Sequence, residues 1–278
     1  MSTSGGTSEQ GTSGDSGSVR LHVTSSGESG PRVAFCHGLF GQGRNWTQVA
    51  KGLTDIARPT LIDMPNHGRS GWTERHDYVA AADIVADTLA DIDGDEPWAL
   101  VGHSMGGKIA MLLALRRPEL VERLCVVDVS PVGYREGREF ETYVAGMRAM
   151  DLTAIETREE ADAALTEAAP DPGVRGFLLQ NLRRDGDGWR WQMNLDVLGD
   201  SIDLLRDWPG EAVEGASYDG PTLWVGGSDS GYVRDEFAEA MRGYFPRVRQ
   251  LTVKDAGHWV HSQQPEVFLA TMRAFLQA

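Results

Sequence analysis

The chain has 278 residues, a length that suits one large α/β domain or a core with a modest insertion. Hydrophobic residues make up 41% and charged residues 24%, the balance of an ordinary globular protein. The formal net charge of −15 argues against nucleic acid or an anionic membrane surface as the main partner. No apolar run approaches the ~20 residues that span a bilayer, and no secretory signal pattern begins the chain. We therefore expect a cytoplasmic protein without membrane insertion.

The first part of the chain alternates between strand and helix patterns. Residues 1–18 are rich in Ser, Gly and Thr and nearly free of apolar side chains, which predicts a disordered tail. After them, strands are predicted at residues 19–23 (an edge strand), 32–36, 60–63, 99–101 and 124–129, and helices at 45–53, 78–92 and 106–116. Strands that are apolar throughout and alternate with helices indicate a mostly parallel sheet with helices on both faces.

The alternation is interrupted by residues 131–217, which we call the insertion. This stretch is mostly helical and amphipathic, without a convincing strand, and carries 18 acidic and nine basic side chains. The α/β pattern then resumes, with strands at residues 222–225 and 248–253 and a helix from 265 to 278. We interpret the insertion as a helical lid placed after the sixth strand, above the carboxyl ends of the strands, where ligands bind in such sheets. The core then comprises residues 19–130 and 218–278.

A nucleophile motif lies between the predicted strand at residues 99–101 and the helix that follows it. The pentapeptide GHSMG at residues 102–106 matches G-x-S-x-G, in which glycines allow a tight strand-to-helix turn that presents the serine. At the helix N-terminus, backbone N–H groups and the helix dipole favour negative charge that develops during a reaction. The motif therefore predicts Ser104 as the nucleophile of a hydrolase.

The same stretch also fits a phosphate-binding pattern. G-x-x-x-x-G-K runs from Gly102 to Lys108. A nucleotide hydrolase needs Ser or Thr at the next position to hold Mg²⁺, and this chain has Ile109 there. The sequence therefore disfavours nucleotide binding, and we expect a structural role for Lys108.

Two further segments supply the other parts of a serine hydrolase. His258 lies in a loop after the last predicted strand, where a Ser…Asp…His order places the general base. The segment HGLFG at residues 37–41 directly follows a strand, and such a turn aims a backbone N–H at the carbonyl oxygen that becomes charged. We assign the oxyanion hole to the backbone N–H groups of Leu39 and Met105, with Phe40 as the alternative to Leu39.

The acid that orients His258 has more than one candidate. Asp128 ends the strand that follows the nucleophile helix, and Asp229 comes just after the next predicted strand. Both lie between Ser104 and His258 in the chain, as the acid of such a triad must when the order is Ser…Asp…His. Chain order does not choose between them.

The histidines of the chain also require a metal site to be considered. Five of them lie near predicted strand ends: His37, His67, His103, His258 and His261. The chain contains neither an H-E-x-x-H motif nor paired Cys/His spacing, so we expect no metal.

Taken together, the motifs resemble the branch of the α/β-hydrolase superfamily that contains small bacterial esterases and the mitochondrial alpha/beta hydrolase domain-containing protein 11. The matching segments are HGLFG at residues 37–41, NHGRS at 66–70, GHSMGGK at 102–108, VDVSPV at 127–132, NLD at 194–196 and AGHWVH at 256–261. The resemblance implies an α/β-hydrolase fold, a helical lid, no cofactor, and hydrolysis of short-chain acyl esters or thioesters. In related esterases the acid is the aspartate on the strand after the nucleophile helix, which maps onto Asp128.

One departure from the family pattern keeps the other acids open. The family often has Gly-Gly-Asn-Ser where this chain has GGSD at residues 226–229. Asp229 thus stands at the acid position common in other α/β-hydrolases. Asp196, in the predicted lid, is the third candidate.

The hypothesis from sequence is therefore a serine esterase with the triad Ser104, His258 and Asp128, acting on a small-molecule ester through an acyl-enzyme. The lid, with Trp189 and Trp191 as candidates, would shape the acyl pocket. An alcohol acyltransferase would use the same residues. A binding protein that kept the fold and lost activity is disfavoured, because it has no need of an intact triad.

Overall fold

The computed structural model describes residues 19–92, 94, 96–135 and 137–278, so the predicted tail lies outside the described residues. The strands of this part of the chain are, as β1 to β9, Val23–Ser25, Arg32–Cys36, Arg58–Ile62, Trp98–His103, Val121–Val127, Leu182–Asp185, Gly188–Trp191, Thr222–Gly227 and Val248–Val253. Seven of them form one sheet in the order β1-β3-β2-β4-β5-β8-β9. All neighbours in it are parallel except β1, which pairs antiparallel with β3.

The helices of the described residues are, as α1 to α11, Thr47–Lys51, Tyr78–Ala90, Met105–Arg116, Glu139–Ala149, Arg158–Ala164, Pro172–Leu179, Leu195–Asp200, Ile202–Arg206, Ala238–Tyr244, Val260–Gln263 and Pro265–Gln277. Short 3₁₀ turns occur at Gly43–Trp46, Pro118–Leu120, Gly210–Val213 and Asp235–Phe237. None of these helices combines the length and the apolar character that a bilayer crossing requires.

Both faces of the sheet are buried, because successive side chains of a strand point to opposite sides. In β2, Ala34 and Cys36 pack with α2, α3 and the insertion, whereas Val33 and Phe35 pack with α1 and α11. This explains why the central strands read as continuous apolar runs. The expected mostly parallel sheet with helices on both faces is confirmed.

Three details of the prediction are wrong. The edge strand is Val23–Ser25 rather than residues 19–23, because the backbone before it bonds to the loop at residues 70–71 instead of to β3. The insertion follows the fifth strand along the chain, not the sixth, since β1 alone precedes β2 among the described residues. The insertion also contains a hairpin, β6–β7. Its strands have four residues each and mostly part-exposed side chains, so they lack the apolar alternation that reveals a strand.

Close approach between β2 and α3 requires a glycine at the start of α3. A Cβ atom on Gly106 would lie 2.4 Å from the carbonyl oxygen of Cys36 and 2.5 Å from that of His37. Backbone atoms cannot yield as a side chain can, so any side chain here forces α3 away from the sheet.

We therefore expect Gly106→Ala to lower the free energy of unfolding by about 3 kcal/mol or more, the upper end of overpacking effects. Gly243→Ala is the control, because a Cβ at this position in α9 meets nothing within 4 Å. It should be neutral or stabilising by about 0.5–1 kcal/mol. Urea denaturation of both variants tests this, and equal stabilities would contradict the packing argument.

Candidate active site

The turn between β4 and α3 holds Ser104 in a strained conformation. Its backbone has φ 53° and ψ −119°, a combination that non-glycine residues rarely adopt. Its amide donates to the carbonyl of Val127, and its carbonyl accepts from the amide of Lys108 in the first turn of α3. The turn thereby presents the half-buried serine hydroxyl at the carboxyl edge of the sheet, beside the N-terminus of a helix.

A continuous chain of hydrogen bonds joins Ser104, His258 and Asp128. The Ser104 hydroxyl lies 3.1 Å from Nε2 of His258, and Nδ1 of His258 lies 2.7 Å from Oδ2 of Asp128. A carboxylate can only accept, so Nδ1–H donates to Asp128 and Nε2 is left to accept from the serine. This is the tautomer in which a histidine can remove the proton of a serine hydroxyl.

Asp128 is fully buried, at 0% exposure, and lies just beyond the end of β5 with a positive φ of 50°. Its Oδ1 accepts from the backbone N–H of Gly227 at 3.0 Å, and its Oδ2 also accepts from the hydroxyl of Ser230 at 2.5 Å. Ser230 was not predicted from the sequence, because no motif marks a serine in the loop after β8 as a partner of a residue about a hundred positions earlier.

The other two acid candidates lie elsewhere. Asp229 is exposed, and its carboxylate accepts from the hydroxyl of Ser228 at 3.0 Å. Asp196 is also exposed and forms an ion pair of 3.7 Å with Arg148. Among the described residues, Asp128 is thus the candidate acid that the fold brings to His258.

Aromatic rings enclose the imidazole of His258. The ring of Tyr232 lies at a centroid distance of 4.3 Å and that of His103 at 4.6 Å. Burial, with the nearby His258 and His261, lowers the pKa of His103 well below its usual value, so its ring is neutral. Its Nε2–H donates to the backbone carbonyl of His258 at 2.8 Å, which fixes the loop that carries His258. The contacts of His258 with Tyr232 and His103 were also not predicted from the sequence.

Two residues that line the pocket beside Ser104 have backbone N–H groups that are unpaired within the described residues. In the described chain, the amides of Leu39 and Met105 have no hydrogen-bond partner, and both residues line the pocket that Ser104 opens into. The amide of Phe40 is already used, because it donates to Nε2 of His67 at 3.1 Å. Of the two alternatives for the loop after β2, Leu39 is therefore the residue with a free donor.

The insertion closes one side of this pocket. Its apolar lining includes Tyr134, Phe140, Ile202 and Leu205 from the insertion and Tyr78 and Val129 from the core. Trp189 and Trp191, the aromatic residues expected to shape the pocket, do not line it. The ring of Trp189 instead lies against the guanidinium groups of Arg158 and Arg184, on the hairpin side of the insertion.

Lys108 joins α3 to the insertion. It is buried, and its Nζ donates to the backbone carbonyls of Arg206 at 2.7 Å and Asp207 at 2.6 Å, with that of Leu205 at 3.4 Å. Burial lowers the pKa of Lys108 to about 7, and the charge of Asp207 opposes this shift. The lysine has the geometry of a helix-capping group at the end of α8 rather than of a phosphate ligand.

The other histidines near the strand ends are neutral and bonded to the backbone or stacked on rings. Burial lowers the pKa of His37 to about 4 and that of His67 and His261 to about 3. Within the described residues, no group of three or more His, Cys, Asp or Glu side chains is arranged to hold a metal ion.

Comparison with known proteins identifies the family. The family model described as the alpha/beta hydrolase fold matches residues 31–265. The chain belongs to the α/β-hydrolase family. This α/β-hydrolase is 38% identical to the sn-1-specific diacylglycerol lipase ABHD11 of Mus musculus over 88% of its own chain and 81% of that protein. It is 30% identical to the esterase YbfF of Escherichia coli K12, over 93% and 98% of the two chains.

A solved structure described as a marine microorganism esterase has the same fold. It superposes on this α/β-hydrolase with a TM-score of 0.88 and 30% identity, covering 93% of this chain and 100% of the other. Relatives named esterase or lipase thus match nearly the whole chain. This α/β-hydrolase is a carboxylic ester hydrolase.

Asp128 is buried against His258 whereas Asp229 is exposed, and this difference predicts which of the two orients His258. We expect Asp128→Asn to reduce turnover of an ester by up to about 10⁴-fold, because an amide at this position favours the wrong tautomer of His258. Asp229→Asn, the matched control on the surface, should retain turnover close to that of the wild type. Steady-state kinetics with thermal unfolding of both variants checks this, and a larger loss in Asp229→Asn would identify the other acid.

Proposed function

We propose that this α/β-hydrolase hydrolyses short-chain carboxylic esters and thioesters with a catalytic triad of Ser104, His258 and Asp128. The observation that carries the proposal is the unbroken hydrogen-bond chain from the serine hydroxyl through His258 to the buried carboxylate. A family member without activity would have no need of a strained serine and a buried charge in this arrangement.

The mechanism is a two-step acyl transfer. His258 takes the proton of Ser104 as the hydroxyl oxygen attacks the ester carbonyl, and Asp128 stabilises the imidazolium that forms. The backbone N–H groups of Leu39 and Met105 donate to the oxyanion. The alcohol or thiol leaves with the proton from His258. Water, deprotonated by His258, then attacks the acyl-enzyme and releases the carboxylic acid and the free serine.

The size of the pocket supports short acyl groups. Its cavity volume is about 50 Å³, and a cavity needs about 10–15 Å³ to hold one water molecule. The space directly beside Ser104 therefore holds only a few groups of that size, whereas the adjoining cavity of about 420 Å³, which shares Tyr134 and Tyr232 with it, is not lined by Ser104. We propose that residues 131–217 act as the lid and residues 19–130 and 218–278 as the core, since side chains of the insertion, such as Phe140 and Ile202, line this pocket.

The names of two relatives suggest a different acyl donor and a different acyl acceptor. The name of the mouse relative specifies diacylglycerol, and a relative in Saccharomyces cerevisiae, 30% identical over 89% of this chain and 78% of its own, is named a probable alcohol acetyltransferase. An alcohol and water compete for the same acyl-enzyme, so acyl transfer is the second candidate. Formation of an ethyl ester in the presence of ethanol distinguishes it from hydrolysis.

The cytoplasm is the compartment that we propose for the reaction. Cys36 and Cys125 are both buried and unpaired. Burial raises the pKa of each thiol, to about 12 for Cys36 and further for Cys125, so both stay protonated and unreactive. Free thiols of this kind suit a reducing environment.

A series of p-nitrophenyl esters tests the proposal. We expect kcat/KM to be highest for acyl chains of about two to four carbons and to fall for longer ones, because the cavity is small.

Ser104→Ala should lose turnover by several orders of magnitude and keep its thermal midpoint. Ser217→Ala, at an exposed serine, is the control. Near-normal turnover in folded Ser104→Ala would refute the triad, and a preference for long chains would refute the substrate class.

A further inference from the structure

Phe40, the residue after Leu39, has a backbone conformation that needs support. Its φ is +60°, in the left-handed region that a bulky side chain occupies at a cost of about 1–3 kcal/mol. The amide of Gly41 donates to the carbonyl of Gly38 at 2.9 Å, which closes a four-residue turn with Phe40 at its third position. A positive φ at that position is what a type II turn requires, and glycine or asparagine usually supplies it.

Two buried side chains hold both polar backbone groups of Phe40. Its N–H donates to Nε2 of His67 at 3.1 Å, and its carbonyl accepts from Nδ2 of Asn181 at 2.8 Å. The side-chain amide of Gln180 is a longer second donor to the same carbonyl, at 3.3 Å. Phe40, His67 and Asn181 are each 0% exposed. No water competes for these bonds, so each should be strong and costly to leave unmade.

The protonation state of His67 suits this contact. Burial, aided by the nearby His37, lowers the pKa of His67 to about 3. Its Nδ1 lies 2.9 Å from the carbonyl oxygen of Pro65, so this nitrogen carries the proton and Nε2 is free to accept. The ring therefore remains an acceptor for the amide of Phe40 at any pH near neutrality.

Asn181 connects the same turn to the insertion. It lies between α6 and β6, and its Oδ1 accepts from the side-chain amide of Gln42 at 2.8 Å. Its Nδ2 also lies 3.2 Å from the carbonyl of Leu178, the residue that precedes the end of α6. The insertion and the turn after β2 are thus joined by a buried amide rather than by apolar contact alone.

We propose that His67 and Asn181 are positioning residues that hold Phe40 in its left-handed conformation and so direct the N–H of Leu39 at the oxyanion. The inference rests on the proposed function, in which Leu39 is one of the two donors. Neither side chain lines the pocket, so neither contacts the substrate. Their loss should weaken an interaction that is strongest in the transition state, and therefore lower kcat while leaving KM nearly unchanged.

The test compares three substitutions with one matched control. His67→Phe keeps a ring and removes the acceptor, whereas His67→Gln keeps an acceptor. Asn181→Leu keeps the size of the side chain and removes the donor to Phe40. The control is Tyr218→Phe, because Tyr218 is also buried and its hydroxyl bonds one backbone carbonyl, that of Val121 at the start of β5, at the edge of the sheet opposite Ser104.

We expect His67→Phe and Asn181→Leu to lose about ten- to a hundred-fold in kcat, below the ~10²–10³ typical for complete removal of an oxyanion donor. KM should change by less than about twofold, and the inhibition constant of a boronic acid, which forms a tetrahedral adduct, should rise in parallel with the loss of kcat. His67→Gln should recover most of the activity. Circular dichroism and the thermal midpoint establish that each variant is folded.

The outcomes separate this inference from the function on which it depends. If the wild type has no esterase activity that Ser104→Ala removes, the proposed function fails. If the wild type is active but His67→Phe loses no more kcat than Tyr218→Phe, or folded His67→Gln loses as much as His67→Phe, the positioning role is refuted. Should His67→Phe fail to fold, Asn181→Leu decides: unchanged kcat in that variant overturns the proposal.

Discussion

The arrangement at the carboxyl edge of the sheet depends on one buried negative charge. A carboxylate that is fully removed from water is unfavourable unless several donors surround it, and removing one partner of such a pair typically costs about 3–5 kcal/mol. Asp128 has three donors, the amide of Gly227, the hydroxyl of Ser230 and the imidazole of His258. They come from the end of β8 and from the loops after β8 and β9. Satisfying this carboxylate therefore fixes the loops that the reaction needs.

A buried lysine relates the insertion to Ser104. The helix that begins beside Ser104 also carries Lys108, whose Nζ donates to backbone carbonyls at the end of α8, Ile202–Arg206. The last carbonyls of a helix have no partners within it and carry partial negative charge, so a cation is favourable there. The pocket wall that contains Ile202 and Leu205 is thereby placed relative to the serine by a side chain only four residues from it.

The sequence predicts the core of the fold well, because the core follows from local patterns, and local motifs also select the residues that the fold brings together around Ser104. Continuous apolar runs identified the central strands, and GHSMG lies at the strand-to-helix turn where the motif requires it. The features that could not be predicted from the sequence depend on contacts between distant segments. Ser230 reaches Asp128 only because β5 and β8 are neighbours. The hairpin β6–β7 was not predicted because its strands are short and part-exposed. The pocket is lined by Phe140 and Ile202 and not by the two tryptophans, because tertiary packing decides which side chains of the insertion lie near Ser104.

Covalent trapping of Ser104 is the sharpest test of the proposed acyl-enzyme mechanism. The full chain is treated with a fluorophosphonate, which reacts with an activated serine, and analysed by intact mass spectrometry and peptide mapping. We expect one adduct per chain, on the peptide that contains Ser104, and slower labelling in the presence of a short-chain ester. An unmodified protein, or an adduct on a residue other than Ser104, would contradict it.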